Sequence, residues 1–210
     1  METNQGGMDK ELYECRWCGC RKCGKMSERG NEIYAKHWRQ MKSRLKATFS
    51  FIDCKSGAEI LDVGCINRDV SLESFLLEQK LSAELGRKGY KVTDIDYNNY
   101  SLPFNSCSFD CVVLSEVIEY VDDPFEVLRL GSELLRVLKP KGIMVISMPD
   151  VCDWIQMMKG RIARDCWTLY TLHVQSLVRL LVEVGFTYLT HTCAGSSMVV
   201  KVQKADKHAR

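Results

Sequence analysis

The chain has 210 residues, 46% of them hydrophobic and 27% charged, an ordinary composition that suits one domain with a full apolar core, and no internal repeat or low-complexity segment competes with that reading. No run of about 18 apolar residues is present to cross a bilayer, and Met1 to Lys10 are polar, so the expected address is cytoplasm or nucleus with no membrane partner. The formal charge of +2 is unevenly spread: residues 1–50 hold 11 Lys and Arg against 6 Asp and Glu, and the rest of the chain holds 18 against 21.

Residues 1–30 read as a basic, cysteine-rich extension, 31–204 as the folded domain and 205–210 as a tail. The basic excess in front either meets a phosphate-bearing partner such as a nucleic acid or is a solvated surface. Within it, Cys15, Cys18, Cys20 and Cys23 follow C-x2-C-x-C-x2-C, enough thiolates for a tetrahedral zinc ion. Only Gly19 separates the two pairs, whereas structural zinc sites usually draw their pairs from separate turns. Zinc cluster and thiol-rich tail both stay open. The chain has 11 cysteines, and without a secretory signal they read as reduced thiols. Cys65, Cys107, Cys111 and Cys193, in or beside apparent strands, read as small buried hydrophobes.

From Asn31 to Phe51, Ile33, Trp38, Met41, Leu45 and Phe49 recur at helical spacing among Lys and Arg, predicting an amphipathic helix over one flank of the domain. Glu59 to Val63 is a short apolar strand closed by Gly64, and Val70 to Leu85 has helical periodicity. Tyr90 to Ile95, rich in β-branched residues, predicts a second strand closing on Asp96. Phe109 to Leu114 is a continuous apolar run of the kind a parallel sheet buries on both faces. Asp123, Pro124 and Glu126 then form a helix start, predicting a helix to Leu138 with Val127, Leu128, Leu134, Leu135 and Leu138 toward the sheet. Pro140 and Gly142 supply a stop and turn before a strand over Ile143 to Ser147.

Val174 to Val184 is amphipathic and ends at Gly185. Phe186 to His191 and Met198 to Val202, joined by a Gly-Ser turn, predict an antiparallel pair at one edge. Alternating strands and helices of this kind give an α/β fold: a Rossmann-like, doubly wound, mainly parallel sheet with helices on both faces and a terminal antiparallel pair.

Four stretches in order carry a family resemblance: Ile60 to Cys65 (ILDVGC), Tyr90 to Asp96, Leu102 to Pro124, and Arg136 to Pro149 (RVLKPKGIMVISMP). Over Ile60 to Lys204 the chain resembles the methyltransferase type 11 family of class I S-adenosylmethionine-dependent methyltransferases. The resemblance implies S-adenosyl-L-methionine as cofactor and an unidentified methyl acceptor, small molecule or macromolecule. It implies that Asp62 and Gly64 lie by the methionine part, that Cys65 also belongs to the cofactor-binding set, that Asp96 accepts hydrogen bonds from the ribose hydroxyls, and that Ser115 and Glu116 line the pocket near the methyl group. For Asp62 a capping role, for Asp96 a strand-end turn and for Glu116 a surface carboxylate are the structural alternatives. Methyl transfer from a sulfonium disperses charge and often needs only in-line placement of donor and acceptor. Tyr120 stands where the family often has histidine, and no residue is assigned as catalytic.

The chain departs from the family pattern in three places. Ile66, Asn67, Arg68 and Asp69 follow Cys65 where two further glycines are usual, and side chains there take space that glycines leave to the cofactor. Between Gly64 and Leu102 one strand and helix are missing, so Tyr90 to Asp96 is read as second strand; the rival reading, third strand, moves the ribose role toward Glu84. Lys141 stands where glycine is usual. These departures motivate the alternative function, a catalytically inactive methyltransferase fold that serves as a binding partner or regulator.

Overall fold

Six strands form one sheet in the order β2-β1-β3-β4-β6-β5: β1 (Glu59–Gly64), β2 (Lys91–Asp96), β3 (Phe109–Ser115), β4 (Leu138–Pro149), β5 (Phe186–Ala194) and β6 (Ser197–Lys204). The computed structural model describes residues 42–64, 81–96, 101–118, 121, 124–149, 174–195 and 197–206. The four N-terminal cysteines, Cys65, Ile66 to Asp69, Tyr120, Asp123 and the segment 151–173 lie outside the described residues. Described helices are α1 (42–51), α2 (81–87), α3 (Pro124–Val137) and α4 (Val174–Val184). No described helix is long and apolar enough to cross a membrane.

Strands β2, β1, β3 and β4 pair in parallel, and β4–β6 and β6–β5 pair antiparallel. Alternation along the strands divides the core in two. Leu61, Val63, Val112, Leu114, Met144 and Ile146 face α3 and α4, where Leu130, Leu134, Leu177 and Leu181 are buried. Ile60, Cys111, Val113, Ile143 and Val145 face the other way, against Leu81 and Leu85 of α2 and Leu45 and Phe49 of α1. The amphipathic helix expected before β1 does flank the domain over its described part.

Because β2 pairs directly with β1, Lys91–Asp96 occupies the second-strand place of a doubly wound sheet. The third-strand reading does not hold: Glu84 lies in α2, its carboxylate 2.9 Å from Arg87. Residues 101–108, the described stretch between β2 and β3, are bends and turns, not strand.

Several expectations need correction. The buried stripe of α3 is Val127, Leu130, Gly131, Leu134 and Val137, with Leu128 and Leu135 only half-buried. Leu138 begins β4 instead of ending the helix. Pro140 and Gly142 lie inside that strand, in an irregularity: Phe109 pairs with Leu138 and Cys111 with Ile143, so Lys139 to Gly142 face Asp110 alone. Lys141 takes a left-handed φ of 61° there. A Cβ on Gly142 would lie 2.9 Å from the Lys139 carbonyl oxygen and 3.1 Å from that of Asp110, which explains the glycine. Cys111 is buried as expected, but Cys107 and Cys193 are exposed. Cys107 sits in the turn before β3, and Cys193 is on β5, whose outer side no strand covers among the described residues.

Candidate cofactor site

The chain leaves β1 to one side for β2 and returns to the other side for β3. A crevice opens beyond the carboxyl ends of parallel strands where winding reverses in this way, because the two connections diverge and leave backbone exposed. In register, Gly64 at the end of β1 pairs with Asp96 at the end of β2, Val63 pairs with Leu114, and Ser115 ends β3 beside Ser147 of β4. Topology alone thus brings Gly64, Asp96, Ser115 and the following Glu116 to one edge, with Asp62 two residues inside it. Cys65 lies outside the described residues.

Asp62 is 6% exposed. Its Oδ2 accepts a hydrogen bond from Ser82 Oγ of α2 at 3.0 Å, and the same hydroxyl meets Asp94 Oδ1 of β2. Asp62 and Asp94 are register partners, and like charges directly opposite on paired strands repel. The Ser82 hydroxyl sits between them. It carries a single proton, so it satisfies one carboxylate at a time.

Ser115 is buried, its Oγ 3.2 Å from Ser147 Oγ. Ser147, with no motif to mark it, was missed in the sequence; its one signal is a polar residue at the end of an apolar strand. Glu116 adopts φ 54°, a conformation costing a non-glycine residue about 1 kcal/mol, and its N–H donates to the Ser147 carbonyl at 3.0 Å. Its carboxylate is no free surface group: Oε1 lies 3.0 Å from Arg44 Nη1 of α1, with the two side chains 21% and 9% exposed. That contact is not aligned as a hydrogen bond. Among the described residues Glu116 Oε1, Arg44 Nε and Thr48 Oγ1 are buried without a hydrogen-bond partner, so this side of the crevice retains unused donors and acceptors.

Between β2 and β3, the Leu-Pro-Phe segment is clamped to the last turns of α3. Arg136 donates from Nη1 to the Phe104 carbonyl at 2.7 Å and from Nη2 to that of Leu102 at 3.0 Å. Glu133 receives Arg136 Nε at 2.9 Å and Nη2 at 2.8 Å, and also the Leu102 N–H at 3.0 Å. The hydrogen bond from Arg136 holds the Glu133 carboxyl below its ordinary range, against partial burial, with the Leu102 N–H and the Arg136 charge adding to it. No group of three or more potential metal ligands occurs among the described residues.

A family model described as a methyltransferase domain matches residues 35–191. A demethylmenaquinone methyltransferase from Listeria monocytogenes serotype 4a is 28% identical over 142 residues, covering 55% of this chain and 56% of the relative. The chain thus spans about half the length of the curated relatives it matches at such coverage. Among solved structures, a methyltransferase from Methanosarcina mazei superposes with a TM-score of 0.51 at 23% identity, over 72% of this chain and 94% of that one. The [4+2]-cyclase SpnF superposes at 0.52 with 18% identity, over 80% and 82%. Both likenesses are of fold. With the model matching most of its length, the chain belongs to the methyltransferase-domain family, the S-adenosylmethionine-dependent class built on a Rossmann-like sheet.

Proposed function

We propose that this chain transfers the methyl group of S-adenosylmethionine to an acceptor, with Asp62, Gly64, Cys65, Asp96, Ser115 and Glu116 around the cofactor. The alignment of Gly64, Asp96 and Ser115 at the carboxyl ends of β1, β2 and β3 carries this reading. The residues present fit the group: a glycine at the reversal of winding lets the cofactor approach the backbone, and Asp96, in register with Gly64, is the acidic residue at that strand end proposed for the ribose hydroxyls. When bound, S-adenosylmethionine supplies an electrophilic methyl on a sulfonium sulfur. The chain's part is to bind, orient and exclude water. Ser82 fixes the Asp62 carboxylate, and the Arg44–Glu116 pair forms the rim that an acceptor meets.

The acceptor is a small molecule or a macromolecule. A demethylmenaquinone, named for the Listeria relative, belongs in the first screen. Nucleic acid belongs there too, on the basic charge of residues 1–50. The fold alone decides nothing about chemistry, since a cyclase shares it.

Titration calorimetry of S-adenosylmethionine and S-adenosylhomocysteine into the full-length protein tests the proposal, repeated on Asp96→Ala. The expected result is micromolar binding that the substitution abolishes. Absence of binding of either ligand to folded protein overturns it and makes the inactive fold, acting as partner or regulator, the leading reading; Ile66 and Arg68 would be its cause.

A further inference from the structure

The two faces of the sheet differ at its carboxyl end. Toward α3 and α4 the strands stay apolar to the rim, with Val63, Leu114, Ile146 and Met198 all buried in that core. Toward α1 they change character. Ile60, Val113, Val145 and Val199 belong to the core packed by α1 and α2. Two residues nearer the rim on the same face of the same strands stand Asp62, Ser115, Ser147 and Ser197, each of them buried.

The helix opposite shows the same change. The inward stripe of α1, continued by the residue after it, is Arg44, Thr48 and Ile52, four residues apart and all buried. Ile52 joins the apolar core, whereas Arg44 Nη1 lies 3.0 Å from Glu116 Oε1 just beyond β3. The polar part of the stripe is therefore at the same end as the serines.

Three atoms here are buried without a hydrogen-bond partner among the described residues: Arg44 Nε, Thr48 Oγ1 and Glu116 Oε1. The first only donates, the carboxylate oxygen only accepts, and the hydroxyl does both. A carboxylate ligand only accepts and would face Glu116. An alkylammonium only donates and would face Arg44. An apolar group leaves all three atoms unsatisfied. A neutral hydroxyl accepts and donates through one oxygen, and so matches a mixed set.

We propose that the methyl acceptor is a small molecule bearing a neutral hydroxyl of the phenol or enol type, bound on the α1 side of the crevice by Arg44, Thr48 and Glu116. This acceptor class rests on the methyl-transfer reading above. The acceptor oxygen takes hydrogen bonds from Arg44 Nε and Thr48 Oγ1 and donates its own proton to Glu116. In the transfer that oxygen forms the bond to the methyl carbon, the carbon–sulfur bond breaks with its electron pair remaining on sulfur, and the hydroxyl proton passes to the Glu116 carboxylate, which later releases it to water.

Ligand-observed NMR titration of phenol, toluene, benzoate and benzylammonium into the full-length protein, with and without S-adenosylhomocysteine, tests it. Phenol is expected to bind ahead of the other three by about fivefold or more, the worth of one completed hydrogen bond. Thr48→Val removes a hydroxyl that has no partner to lose, so the urea midpoint should hold or rise while phenol binds about fivefold more weakly. In Glu116→Gln, which takes away the repulsion, benzoate should gain on phenol. The acceptor class is overturned if toluene, benzoate or benzylammonium binds as tightly as phenol, if none of the four binds, or if Thr48→Val leaves phenol affinity untouched, as it would were these atoms served by water alone. Failure of S-adenosylhomocysteine itself to bind is seen without any probe and overturns the methyl-transfer reading, so the two failures are told apart.

Discussion

Around the amino edge of the sheet, charges are matched locally: Asp110 accepts from Lys139 Nζ at 2.7 Å and from the Glu59 N–H at 2.9 Å, and Lys201 Nζ lies 2.8 Å from Asp53. At the carboxyl edge two acids share one serine hydroxyl, and Arg44 Nε and Glu116 Oε1 are buried without hydrogen-bond partners among the described residues. Both edges belong to the same strands, so the difference does not come from the sheet. Buried polar groups left incomplete cost stability, and they are expected where a ligand completes them. On the proposed reading, the amino edge holds the sheet and the carboxyl edge receives the cofactor.

The largest expected effect belongs to the amino edge. In Gly142→Ala the new methyl meets the Lys139 and Asp110 carbonyl oxygens at 2.9 and 3.1 Å, and backbone on both sides gives it nowhere to go. The expected cost is about 3 kcal/mol, read as a lower urea midpoint. The fraction that stays folded should bind S-adenosylmethionine as the wild type does. A large loss of affinity without loss of stability would break the division between the edges.

Next is Arg136→Ala, which frees the Leu102 and Phe104 carbonyls and leaves Glu133 with only the Leu102 N–H. A cost of about 2 kcal/mol is expected, after discounting for partial exposure. The pH dependence follows from the same contacts. Arg136 holds Glu133 below its ordinary range. At Asp110 burial works the other way, but Lys139 and the Glu59 N–H prevail and lower it too. A carboxyl whose folded pKa is depressed adds stability that is present above its unfolded pKa and lost as pH falls through the folded one. Unfolding midpoints should therefore drop on acidification below the ordinary carboxylate range, and Glu133→Gln should flatten that drop.

The arrangement of elements was legible in the sequence because the central parallel strands are near-continuous apolar runs. EILDVG and FDCVVLS announce themselves, and register then follows from pairing. The irregularity at Lys139 to Gly142 was not legible, since four residues facing one is a property of two strands and leaves no periodicity in either. Exposure of Cys193 was hidden for a related reason: an edge strand has a strand's composition whether or not anything covers it. Away from the candidate site, the Glu133–Arg136 pair has a local signal in its spacing of three on a helix. Ser82 between Asp62 and Asp94, and Arg44 beside Glu116, join elements distant in sequence and offered none.

The Arg44–Glu116 pair sharpens the comparison from the carboxyl side. Arg44→Met keeps the stem's packing and removes the charge, leaving Glu116 half-buried and without its cation. A cost of about 1 kcal/mol is expected, because Glu116 retains some contact with water. A double-mutant cycle with Glu116→Gln should recover part of it. Acceptor or cofactor affinity should change in Arg44→Met even where stability barely does; equal small losses at both edges would remove the distinction drawn here.

The smallest effect has the opposite sign. Lys141 holds φ 61° on the irregular part of β4, where an L side chain crowds its own backbone and glycine does not. Its ammonium is 3.8 Å from Asp206, with the two side chains 72% and 54% exposed, and such a surface pair contributes little. Lys141→Gly removes the crowding but gives the unfolded chain more freedom, and the two nearly offset. A net gain of about 0.5 kcal/mol is expected. The Lys141 carbonyl, which accepts Gln203 Nε2 at 3.0 Å, is kept in the variant. A clear loss of stability would mean that the lysine side chain supports the amino edge through packing, and that this edge depends on more than its matched charges and the bare backbone at Gly142.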